Sequence, residues 1–145
     1  MRTRLTAGLL LLLGLSGCFK APRNDTVTPG NGLVVVIVED ETRQEPLSSG
    51  QVVAIGSASV QDYLDLRCVK KVDGSPAEHR KYHKGTDVSQ QPESIQKLHA
   101  KVVEKMDKDK SSEPYIGIRT NRKTAIGPVP NGEQAMLDLL KKYGG

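Results

Sequence analysis

The chain of 145 residues carries 21 Lys+Arg and 17 Asp+Glu, a formal charge of +4, with no Trp and one Phe. That length suits one domain with one core, and so few large aromatic rings require the core to be aliphatic. Part of the basicity is a targeting feature, because Arg2 and Arg4 stand among the first residues, ahead of an apolar run.

Met1-Arg2-Thr3-Arg4 leads into Leu5 to Leu15, interrupted only by Thr6, Ala7, Gly8 and Gly14, the n-region and h-region pattern of a secretory signal. The run is about half of the ~20 residues that a membrane-crossing helix needs. Leu15-Ser16-Gly17-Cys18 follows. It resembles the bacterial lipobox, an aliphatic residue and two small ones ahead of the cysteine that receives diacylglyceryl before cleavage. The resemblance implies a lipoprotein, exported and anchored to a bacterial membrane by acyl chains such as palmitate on Cys18. Two or three chains hold stably, at about 0.8 kcal/mol per buried CH₂. Removing residues 1 to 17 leaves 128 of the 145 residues and, with two arginines gone, a formal charge of +2. Cys68 is then the one free thiol, and no intramolecular disulfide can form.

Phe19 to Gly32 is rich in Pro, Gly, Asn and Thr without apolar periodicity, so residues 18–32 read as lipidated cysteine and flexible tether. Its reach is about 45 Å fully extended and about 20 Å as a coil. The domain is expected over residues 33–145.

Leu33 to Val38 is a continuous apolar, β-branched run ending in Glu39-Asp40-Glu41, as expected of a strand buried on both faces. Gln51 to Ile55 fits a short strand or helical turns, with helix preferred. Ser57 or Ser59 can cap a helix whose apolar face carries Val60, Tyr63, Leu64 and Cys68. Gly74-Ser75-Pro76 breaks the chain, and Glu78 to Lys84 reads as a polar edge strand. Pro92 and Glu93 suit the start of a helix striped by Ile95, Leu98, Val102, Val103 and Met106. Tyr115 to Ile118 and Thr124 to Ile126, separated by a polar turn, read as a hairpin. A last helix is expected with Asn131 as N-cap, Met136, Leu139, Leu140 and Tyr143 as its stripe, and Gly144 as terminator.

Strand, helix, basic strand, helix, proline-led hairpin and terminal helix is an order similar to that of thioredoxin-like domains. Most of the likeness lies in Glu113 to Tyr143, where Pro114 stands at the position of the superfamily's cis-proline and Gly127 falls between hairpin and last helix. The resemblance implies an α/β fold, a central mixed sheet of about four strands flanked by helices, and a possible cis-proline at Pro114. It also marks a departure. Thioredoxins carry Cys-x-x-Cys after the first strand, where a helix N-terminus lowers the pKa of the attacking thiol. Here that stretch is Glu39 to Pro46, with four carboxylates and no cysteine.

Among candidate chemistries, Cys68 with Arg67, Lys70 and Lys71 nearby reads either as a reactive thiol or as a buried small residue at a helix end, the latter preferred. His79 and His83 on a strand are about 13 Å apart, too far for one ion. His99 is expected to face solvent. The acidic loop 39–45 offers paired carboxylates for acid/base work or, more simply, a solvated turn. His79 to Lys84 is the densest basic run, read as an edge strand or a contact for anionic headgroups rather than for nucleic acid. The sequence thus points to a lipid-anchored, non-catalytic thioredoxin-like binding or scaffold domain at the cell envelope, with an envelope protein as partner and no metal or cofactor site. The alternative is an envelope enzyme using Cys68 or the acidic loop.

Overall fold

The computed structural model describes residues 32–69 and 78–144. Cys18 and its lipobox, the signal and all of the tether before Gly32 lie outside the described residues. Four strands and four helices follow in chain order: β1 Val34–Glu39, α1 Ser49–Gly56, α2 Ala58–Arg67, β2 His79–His83, α3 Glu93–Asp109, β3 Tyr115–Arg119, β4 Thr124–Pro128 and α4 Glu133–Gly144.

The sheet runs β2-β1-β3-β4, with β1 and β2 parallel and β3 antiparallel to both its neighbours. This is the thioredoxin-like topology. β1 is central because it is apolar on both sides. Leu33, Val35 and Ile37 join a core with Ala54 and Ile55 of α1, Val60 and Leu64 of α2, Ile116 and Ile118 of β3, and Met136 and Leu140 of α4. Val34, Val36 and Val38 point the other way, onto Ile95, Leu98, Val102 and Met106 of α3. The alternation of strand side chains thus divides one apolar run between two layers.

Local signals explain the helices. Ser48 and Gln51 form a reciprocal capping box at α1, each side chain accepting from the other's backbone N–H at 3.1 Å. The Ser57 hydroxyl accepts from the Val60 N–H at 3.3 Å and starts α2. Pro92 takes the N-cap position of α3, one residue before the helix. Asn131 does not cap α4. It accepts from the Ser48 hydroxyl at 3.2 Å, while the Gly132 carbonyl, at φ +115°, receives the Met136 N–H. That positive φ suits glycine.

Both sheet edges are guarded. β2 carries Arg80 and Lys81, and β4 ends in Pro128, which has no N–H to offer. Among the described residues no helix is long and apolar enough to cross a membrane.

Candidate functional site

β1 emerges from the sheet at Glu39, and the chain turns at once. The Asp40 carboxylate accepts from the Thr42 hydroxyl at 2.6 Å and from its backbone N–H at 2.9 Å. These bonds, the hydroxyl first, hold the Asp40 carboxyl below its ordinary range. Beyond the turn, Arg43, Glu45, Pro46 and Leu47 close one side of a cleft of about 210 Å³, with Ser112 and Pro114 opposite. Ser112 arrives because β3 pairs beside β1, so the segment ahead of β3 lands at the carboxyl end of β1. Arg43 Nη1 is buried there without a protein hydrogen-bond partner among the described residues. On the outer side, Lys81 Nζ lies 2.9 Å from Glu39 Oε1.

This is the place where the thioredoxin resemblance locates a dithiol. The cleft holds carboxylates, a guanidinium and a serine instead. The capped first turn of α1 follows the cleft loop only after residue 48, so no thiol meets a free helix N-terminus. Pro114 is buried at the cleft, but its peptide bond is trans, since the described residues contain no cis peptide. The cis expectation is corrected. Trans is the ordinary X-Pro form, and extended entry into β3 lets the Pro114 carbonyl accept from the Val129 N–H at 2.8 Å. Gly127 is a β4 residue rather than a linker between hairpin and helix.

Cys68 lies at the other end of the domain. It ends α2, sits 3% exposed in the core shared by α1, α2 and α4, and bridges to Leu33 just before β1. Burial, followed by the nearby Asp65 and Glu78 carboxylates, pushes its thiol up to about 12. Such a thiol stays protonated and unreactive near neutral pH. Lys70 and Lys71, read as possible activators, lie outside the described residues.

The basic run is an edge strand, and three of its side chains meet carboxylates. His79 Nε2 lies 2.7 Å from Asp65 Oδ1, Lys81 pairs with Glu39, and Lys84 Nζ sits 2.5 Å from Asp107 Oδ1. The hydrogen bond to Asp107 raises the Lys84 pKa. Among the described residues no three His, Cys, Asp or Glu side chains group as a metal site would. His99 does not face solvent. It is 5% exposed, with its ring edge-on to Tyr82 at 5.5 Å and Nε2 3.4 Å from the His83 carbonyl oxygen. The sequence held the signal for that, because His99 stands four residues after Ile95 and three before Val102, on the same stripe. Arg43 and Ser112 were the missed cleft residues. Arg43 was the lone cation of an acidic loop, whereas Ser112 carried no signal in the sequence.

No family model, curated protein or solved structure matches the chain.

Proposed function

We propose that the chain is an exported, lipid-anchored protein whose thioredoxin-like domain binds or organises partners at the bacterial cell envelope without redox catalysis. The observation that carries the non-catalytic reading is the thiol-free cleft at the carboxyl end of β1. Glu39, Asp40, Arg43 and Glu45 occupy it, and the buried Cys68 is removed by the length of the strand, about 20 Å for its six residues. A cleft with both signs of charge, open to solvent, suits a polar segment of a partner. The anchor rests on the pattern from Met1 to Cys18.

Two measurements on protein extracted from membranes test this reading. Intact mass is expected to start at a diacylated Cys18, and a mass that begins at Phe19 or retains residues 1 to 17 without lipid rejects the anchor. Insulin reduction is expected at the rate of the buffer alone. Turnover that Cys68→Ser abolishes would overturn the non-catalytic reading.

A further inference from the structure

β1 gives the domain two ends of different character. At its carboxyl end Glu39, Asp40, Glu41 and Glu45 stand with Arg43, Lys81 and Lys84, both signs of charge together. At its amino end the helix and hairpin termini converge. Leu33, the residue before β1, receives the end of α2, since its N–H donates to the Arg67 carbonyl at 3.0 Å. Val34 pairs with Arg119, which places the β3-β4 turn at the same end, closed by the Thr120 N–H on the Lys123 carbonyl at 2.8 Å. α4 finishes there too, because a Cβ on Gly144 would come 2.7 Å from Leu33 Cδ1.

The residues delivered to this end are cationic. Arg67, Arg119, Arg122, Lys123, Lys141 and Lys142 are all exposed. Of the carboxylates nearby, Asp65 is engaged by His79 and Glu93 by Lys97, with Arg119 also acting on Glu93; with Asp62 and Glu78 they are four against six cations. Beside Arg67, Leu66 is 71% exposed, the most exposed of the large apolar side chains among the described residues. One exposed apolar side chain at an end where cations outnumber carboxylates is what an anionic interface accommodates, the charges at headgroup level and the leucine below them.

We infer that this end of the domain docks on an anionic lipid surface and holds the cleft at the other end of β1 away from it. The inference rests on the anchored reading above. The segment ahead of Gly32 enters the domain at Leu33, in the middle of the cationic end, and a coil of its length would span about 20 Å. The lipid therefore delivers this end first. Electrostatic attraction adds about fivefold to attachment for each cation brought to the surface.

Lysine footprinting on the full lipidated protein tests the surface, using phosphatidylglycerol-rich vesicles, phosphatidylcholine vesicles and a membrane-impermeant acetylating reagent. Flotation with phosphatidylcholine reads the anchor alone. On phosphatidylglycerol, acetylation of Lys123, Lys141 and Lys142 is expected to slow about fivefold, while Lys108, next to the α3 residues that meet Lys84 and Tyr115 at the cleft end, keeps its rate. Lys141→Glu with Lys142→Glu is expected to restore fast acetylation at Lys123. Equal rates at both ends with the protein afloat would overturn the docking surface and leave the anchor standing. Failure to float on phosphatidylcholine with Lys123 still slowed on phosphatidylglycerol would reject the anchor and keep the surface. Protection by heparin but not by phosphatidylglycerol would overturn the lipid assignment in favour of another polyanion.

Discussion

The two layers that cover the sheet are built on different plans. One is a single helix, α3, whose 17 residues lay Ile95, Leu98, Val102 and Met106 along the even-numbered side chains of β1. The other is a mosaic of α1, α2 and α4, with 8, 10 and 12 residues, meeting the odd-numbered side chains. A long helix seated on a flat surface has no freedom to follow a lost side chain, because shifting one turn shifts them all. Three short helices joined by a one-residue corner at Ser57 and by loops can each adjust alone.

Truncations separate the two plans most strongly. Leu98 and Leu64 are both 1% exposed. Leu98→Ala is expected to destabilise by about 4–5 kcal/mol and Leu64→Ala by about 3, within the range set by how far a cavity can collapse. Urea melts of the two variants check this, and equal costs would show that the mosaic is as rigid as α3.

Cys68 probes the mosaic from within. Cys68→Ser places a hydroxyl in an apolar site and is expected to cost about 1–3 kcal/mol, more than Cys68→Ala. The thiol itself makes stability depend on pH. Its pKa rises from 9.0 in the unfolded chain to about 12 in the folded one, so the folded state holds the proton more tightly. That contribution is complete below pH 9.0, falls as pH rises and is lost at about 12. Alkylation of the native protein at neutral pH is expected to be slow, and rapid modification would place Cys68 at the surface.

These contrasts also decide what could be read in the sequence. α3 was legible because five stripe positions repeat at helical spacing and a proline marks the start. α2 was legible mainly through its serine cap, whereas α1 left strand and helix both open, since Val52 and Val53 are apolar yet 54% and 46% exposed and blur the period. β1 was legible as doubly buried, which already required a layer on each side. The parallel pairing of β1 with β2 depends on a crossover that no local signal encodes, and the cleft depends on the long-range pairing of β1 with β3. Hence the acidic loop could be seen but not its opposing wall of Ser112 and Pro114. Asn131 was misplaced because its side chain serves α1, a partner 83 positions away along the chain.

Smaller changes test the close seating of α3. A Cβ built on Gly117 of β3 would come 2.5 Å from Val102 Cγ2 and 3.0 Å from Leu98 Cδ1. Gly117→Ala is therefore expected to cost about 1–2 kcal/mol through overpacking. Gly127, on the neighbouring strand, meets nothing within 4 Å. Its replacement by Ala is expected to be neutral in urea melts of the two variants, and a comparable loss at both positions would remove close seating as the cause.

The ends of the helices give the finest contrast. α1 and α2 stop at Ser57 and Cys68 in extended conformations that any residue adopts, with ψ of 145° and 150°. α3 stops at Lys110 with φ 51° and ψ 39°, the left-handed cap that glycine fills most easily. The turn is fixed by the Lys110 N–H on the Asp107 carbonyl at 3.1 Å and the Ser111 N–H on the Met106 carbonyl at 3.1 Å. The Lys110 side chain is exposed, so its removal sacrifices little packing. Lys110→Gly relieves about 1 kcal/mol of backbone strain and gives part of it back through the entropy of a freer unfolded chain. A net gain of about 0.5 kcal/mol is expected in a melt. A loss instead would mean that the long helix draws its C-terminal stability from the lysine charge beside the last carbonyls, not from the shape of the turn.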